Sequence, residues 1–298
     1  MNNSEYLKSK HEMVGDLFTM MSSAVEYDQY KLSEKDISFY HEKGYLPNHK
    51  ILNKIQLDAL EDGLENNLRK LFEDRSNDLI IDPELSTNKR LIYFQGGWCN
   101  DANFHDLIFH PAITVPVSQL LNTDKVRFWH DQCFYKPSHD GADVSWHQDY
   151  SYWQRTTPSN HITVWLSVDD STLENGCLHV VPGSHKWGLL PEVELTSGSI
   201  DALKEYIPQK HLESFKPEPI ELKAGYCSFH NDHMIHGSYQ NNSDKPRRAI
   251  VLNFMGAGTT CNDDTKPIMP GFPKIPVGQV IEGDIFPIVF DHNKLIKN

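Results

Sequence analysis

The chain has 298 residues, of which 39% are hydrophobic and 23% charged, and a formal net charge of −13. This is the composition of an ordinary globular protein, and a chain of this length buries about three-quarters of the surface it exposes when unfolded, so no disulfide staple is needed. The acidic balance argues against binding to nucleic acid, which needs clustered Lys and Arg, and against docking on an anionic membrane surface.

Residues 1–30 read as a polar, loosely amphipathic helical lead-in. Ser33 with Asp36 three positions on gives a capping-box-like helix start, and Gly44 is placed to end that helix. Leu57, Leu60, Leu64, Leu68 and Leu71 recur at three and four, which predicts a packing helix over 53–74. Another helix is predicted over 111–121, short or kinked at Pro116.

From about residue 124 the apolar period changes from 3.6 to 2. Strands are predicted over 126–135 and near 146–150, 161–168, 177–181, 219–223, 226–230, 234–239 and 248–255. Asn175-Gly176 marks a tight turn between two of them. Residues 137–145 read as a polar loop. Residues 186–217 interrupt the strands with a loop and a helix near 200–206, and the Pro-rich tail over 266–298 is expected to wrap the surface. The pattern predicts a single domain over 1–298, mainly β with flanking helices. It has a largely helical lead-in to residue 123, an all-β jelly roll or barrel over 124–256, and a C-terminal wrap over 257–298.

Two strands can be read face by face. Over 161–168 one side carries Ile162, Val164, Leu166 and Val168, which suits a covering helix layer; the other carries His161, Thr163, Trp165 and Ser167, which suits a pocket lining. Over 247–254 the aliphatic side is Ile250, Leu252 and Phe254, headed by Arg248, which is most simply a solvated strand-end charge. The opposite side, from Arg247, then points into the same pocket as Trp165.

The densest chemistry lies in Trp146-His147-Gln148-Asp149. His147 and Asp149 are two apart, so on a strand both side chains face the same way and can grip one divalent metal. A His-x-Asp pair alone arises easily by chance in a chain with 16 His. A third ligand is required, because two His and one carboxylate on one face of an octahedron is the site type of non-haem Fe(II) oxygenases. His236 is the candidate. His230 shares its strand parity and His233 does not, but His236 stands eleven residues before Arg247, across the turn-like Asn241 to Pro246. A hairpin of that length is expected to bring Arg247 beside His236, where a guanidinium can clamp a carboxylate bidentately. His130 shares a face with Gln132 and is a candidate pocket residue. His185 reads as a turn histidine, and Tyr150, Tyr152 and Trp153 as either core or pocket rim.

The stretches Trp146-His147-Gln148-Asp149, Glu174-Asn175-Gly176-Cys177, Val181-Pro182-Gly183-Ser184-His185, and His236-Gly237-Ser238 through Arg247 together resemble the phytanoyl-CoA dioxygenase family. The resemblance runs over roughly residues 32–292. It implies a double-stranded β-helix, the cupin jelly roll, working as an Fe(II)- and 2-oxoglutarate-dependent dioxygenase with O₂ as the second co-substrate. By position, His147, Asp149 and His236 match the family's iron ligands. Arg247 matches the arginine that binds the distal carboxylate of 2-oxoglutarate, Ser238 its hydroxyl neighbour, and Trp165 and Gln132 further co-substrate contacts. Gly225-Tyr226 stands where the family often has Gly-Asp; that acid is not a ligand. Because Asp149 is present, the resemblance implies oxygenation rather than halogenation.

The expected function is therefore hydroxylation of a small molecule, with release of succinate and CO₂. A cupin-like zinc or nickel enzyme that does not use 2-oxoglutarate, and a non-catalytic binding protein on the same fold, are the alternatives. The specificity is expected in residues 186–217 and in residues 76–105, which include Lys89 and Arg90. The five Cys form no Cys-x-x-Cys, no basic region followed by an apolar run opens the chain, and no apolar run approaches a membrane span, so a cytoplasmic protein is expected.

Overall fold

Where the sequence alternates, the backbone is strand, and some stretches without alternation are strand as well. The computed structural model describes residues 3–73, 91–139, 141–195, 199–269 and 272–295. Its strands in chain order are β1 (Tyr45–Lys50), β2 (Ile92–Phe94), β3 (Lys125–Lys136), β4 (Val144–His147), β5 (Thr156–Thr157), β6 (His161–Ser167), β7 (Leu178–Val180), β8 (Glu218–Ile220), β9 (Tyr226–Asn231), β10 (His236–Ser238), β11 (Arg247–Gly256), β12 (Thr260–Cys261) and β13 (Ile288–Asp291).

Among the described residues, these form two main antiparallel sheets. The larger runs β1-β9-β6-β11-β3-β13, with β2 also on β3, and the smaller runs β4-β10-β7-β8. The chain passes between them in the order β3, β4, β6, β7–β8, β9, β10, β11, changing sheet at each step apart from the β7–β8 pair. That is the jelly-roll order, and it closes the residues between the sheets into one interior.

The helices cover the larger sheet on its outer face. Ile162, Val164, Leu166, Ile250, Leu252 and Phe254 share one apolar core with Leu60, Leu64 and Leu68 of the helix Lys54–Glu73 and with the helix Pro111–Leu120. Leu57 packs against it partly buried, while the side chain of Leu71 lies outside the described residues. Ser33 caps the helix Glu34–Lys43 through the Asp36 amide, and Gly44 ends it at φ 85°. The lead-in is two short helices, Asn3–Lys8 and Ala24–Tyr30, rather than one continuous stretch.

Several expectations are corrected. The predicted hairpin through residues 241–246 is a crossover: β10 lies in the smaller sheet and β11 in the larger, so Arg247 faces His236 across the interior rather than beside it. Strand β4 ends at His147, and Asp149 opens a 3-10 turn, Asp149–Tyr152; Gln148 keeps an extended backbone (φ −116°, ψ 132°), so the alternation survives as far as Asp149. Strand β1 escaped the pattern because its pairing with β9 is shifted between Leu46 and His49, next to Asn48 at φ 60°. The tail does more than wrap the surface. It contributes β13 to the larger sheet, and Ile268, Met269, Ile281 and Phe286 build a second core around Trp129.

Arg248 is not a solvated strand-end charge. It is 9% exposed and reaches Asp169 through Nε (3.0 Å) and Nη2 (2.7 Å), Glu65 through Nη1 (2.8 Å), and Glu61. One guanidinium thus ties the end of β6 to the packing helix, and burial is offset by the acids, which raise its pKa further. Arg248→Met should cost about 2–3 kcal/mol, because the charge-assisted bonds are lost and Asp169 is left facing two other carboxylates. A thermal-denaturation midpoint unchanged from the wild type would refute this.

Candidate functional site

His147 ends β4, His236 begins β10, and the two are cross-strand partners. Each ring is held by its own strand. His147 Nδ1 lies 2.8 Å from the Ser145 carbonyl, and His236 Nδ1 lies 2.9 Å from the Met234 carbonyl. A carbonyl only accepts, so each Nδ1 carries a hydrogen and each Nε2 is the ring atom turned to the site. Both Nε2 atoms face Asp149 Oδ1, at 3.6 Å and 3.5 Å, and the two ring centroids are 4.1 Å apart.

The other oxygen of Asp149 is already engaged. Oδ2 accepts from Thr163 Oγ1 at 2.5 Å and sits 3.3 Å from His230 Nε2. Burial alone would raise this carboxyl, but His236, His147 and His230 around it hold it well below its usual range. Burial, with His147 beside it, pushes His236 well below its ordinary value. One carboxylate oxygen and two imidazole nitrogens thus converge with all three ligand atoms within 4.8 Å of one another. Donors bound about 2.1 Å from one ion stand about 3.0–3.4 Å apart, so these side chains fit a cation with a small inward adjustment.

Deeper between the sheets lies Arg247. Its Cζ stands 5.2 Å over the Trp165 ring, and among the described residues its Nε has no hydrogen-bond partner. Burial pushes the guanidinium down to about 10, still charged at neutral pH, and among the described residues no carboxylate forms an ion pair with it. A buried cation without an anion is an anion site in waiting. Ser238 on β10 and Gln132 on β3 face the same interior; Gln132 Nε2 donates to Tyr93 Oη at 3.1 Å.

One cavity of about 870 Å³ joins these groups. His147, Asp149, His236, Arg247, Ser238, Trp165 and Gln132 all line it. Its outer wall comes from Tyr152, Trp153 and Arg155 after β4, from residues 192–195 and from residues 266–269 of the tail. Tyr150 packs in the second core without lining the cavity, whereas Trp153, also in that core, and Tyr152, packed against it, reach the cavity. His130 lines the cavity. His185 belongs to the 3-10 turn Ser184–Lys186. Lys89 and Arg90 lie outside the described residues, whereas Tyr93 and Gln95 of the same segment line the cavity.

Reading the sequence missed Lys136, which is buried beside Arg247, and the support that Thr163 and His230 give to Asp149. Lys136 shares its parity on β3 with His130 and Gln132, so the period-two argument already pointed it inward. Thr163 was placed on the pocket face but without a partner, since pairing across sheets is not visible in one strand.

The model of one protein family, described as phytanoyl-CoA dioxygenase, matches residues 40–249. The chain is similar to the phytanoyl-CoA dioxygenase domain-containing protein 1 of Mus musculus, 27% identical over 193 residues, a match covering 64% of this chain and 64% of that protein. Among solved structures, it is similar to the non-heme alpha-ketoglutarate-dependent carbocyclase SnoK from nogalamycin biosynthesis (TM-score 0.69, 20% identity, 92% of this chain and 99% of that one). It is also similar to EctD from S. alaskensis, crystallised with 2-oxoglutarate and 5-hydroxyectoine (TM-score 0.67, 16% identity, 92% of each chain). These two likenesses show a shared fold.

Proposed function

Since the chain belongs to the phytanoyl-CoA dioxygenase family, we propose that it is an Fe(II)- and 2-oxoglutarate-dependent dioxygenase that hydroxylates a small molecule in the cytoplasm. The observation that carries the reading is the pairing, in one cavity, of a His-Asp-His donor set with a buried guanidinium that has no ion-pair partner among the described residues. His147, Asp149 and His236 would hold the iron. Arg247 and Ser238 would take the distal carboxylate of 2-oxoglutarate, with Trp165 and Gln132 along its flank. When bound, iron with 2-oxoglutarate and O₂ supplies the oxidant that hydroxylates the substrate, releasing succinate and CO₂.

The chain's own share is placement and exclusion of water. The carbonyls behind His147 and His236 fix their tautomers, Thr163 and His230 fix the carboxylate, and the aromatic rim shields the cavity. A zinc or nickel enzyme would accept the same three ligands, but it has no use for a buried arginine aimed at a dicarboxylate. The five Cys are buried and free, which supports a reducing compartment. Among the described residues no helix is long and apolar enough to cross a membrane.

Anaerobic addition of Fe(II) and 2-oxoglutarate should produce a weak visible charge-transfer band, and a screen of small molecules should find one that stimulates succinate release. No band with either component in excess would overturn the reading.

A further inference from the structure

Lys136, the last residue of β3, is fully buried. Its Nζ faces three oxygens: Ser238 Oγ at 2.7 Å, the Ser238 carbonyl at 3.5 Å and the Tyr239 carbonyl. Its cross-strand partner is Arg247. Two cationic side chains therefore lie next to each other in the interior, and among the described residues no carboxylate forms an ion pair with either. The charged and titratable groups facing Lys136 are Arg247 on β11, Asp143 in the loop before β4, Cys177 just before β7 and His179 on β7. Burial first, and Arg247 second, push the amine well below its ordinary value, against smaller opposing effects from Asp143 and Cys177.

Counting protons makes this contact a two-position device. A charged –NH₃⁺ has three hydrogens and accepts none. All three oxygens are then acceptors, and the Ser238 hydroxyl is free to aim its own hydrogen into the cavity. A neutral –NH₂ has two hydrogens, which the two carbonyls take, so Ser238 must turn its hydrogen back onto Nζ. The direction of the Ser238 hydroxyl is thus set by whether Lys136 carries its proton.

We propose that Lys136 is a positioning residue that takes up one proton from solvent when a dicarboxylate enters beside Arg247, and so turns the Ser238 hydroxyl onto that carboxylate. This rests on the 2-oxoglutarate reading of the site. The only covalent change is transfer of one solvent proton to Nζ. Without the anion, a charged Lys136 is both desolvated and repelled by Arg247; the arriving carboxylate offsets both penalties. Uptake of a proton means that affinity falls as pH rises, by up to about tenfold per pH unit. The window lies between the lowered value of Lys136 in the ligand-free protein and its higher value in the complex. Below that window the lysine is already charged, above it the lysine stays neutral, and in both ranges the dependence is flat.

The test is calorimetric titration of 2-oxoglutarate into the full-length Zn(II)-loaded protein, at mildly alkaline pH, in two buffers of different ionisation enthalpy. The expected result is uptake of up to about one proton by the wild type and none by Lys136→Met, which binds 2-oxoglutarate more weakly. Binding without proton uptake in the wild type, or uptake that persists in Lys136→Met, overturns the proposal. The wild-type measurement decides even if the variant fails to fold. Absence of any 2-oxoglutarate binding would instead fail the oxygenase reading itself, and this proposal with it.

Discussion

Asp149→Ala is expected to abolish the charge-transfer band and to lower turnover by more than about 100-fold, beyond the range for disturbing a mere outer partner of a metal ligand. Two effects act together. The variant removes the one carboxylate from a set whose other members are imidazoles, and the cation loses its charge complement. It also strips His230 Nε2 of its acceptor and leaves Thr163 Oγ1 with Asn253 Oδ1 alone, so the support around the site is rearranged. The measurement is the anaerobic difference spectrum on adding Fe(II) and then 2-oxoglutarate, with circular dichroism to show that the variant is folded. A variant with an undiminished band would mean that Asp149 is not a ligand.

Arg247→Met is expected to weaken 2-oxoglutarate binding by about 30- to 1,000-fold, the cost of about 2–4 kcal/mol for leaving a buried carboxylate without its cation. Metal affinity should change little, since Arg247 stands apart from the His-Asp-His set. Arg247→Lys should rescue poorly, because an ammonium cannot reproduce the planar two-pronged grip. The ligand-free variant should be no less stable than the wild type, because methionine removes a buried charge that has no anionic partner among the described residues. Titration of 2-oxoglutarate against the metal-loaded protein reads the first effect and thermal denaturation the last. Turnover that survives in Arg247→Met would favour a metal enzyme of another kind.

The sequence was most legible where a physical period was unbroken. The alternation through Ile162, Val164 and Leu166 placed Thr163 and Trp165 on the cavity side, and the same argument turned Arg247 inward. The leucine stripe gave the packing helix because its spacing reflects one buried face. What stayed hidden depended on pairing between distant segments. Nothing local distinguishes Arg248 as a junction, since Glu61 and Glu65 become its neighbours only when the helix docks and Asp169 only when β6 pairs with β11. The tail showed no period because its apolar residues fill an irregular gap around Trp129 rather than one face of a regular element. The connection from His236 to Arg247 was misread for a related reason: loop length alone does not say whether the chain returns within one sheet or passes to the other.

That crossover has a bearing on which keto acids can fit. His236 and Arg247 belong to opposite walls, so the span from the cation site to the guanidinium is fixed by how far apart the two walls pack, not by the loop joining the two residues. The wall separation acts as a calliper on the length of any diacid that bridges the two groups, and that separation is set by the sheets rather than by the length of the connection 239–246.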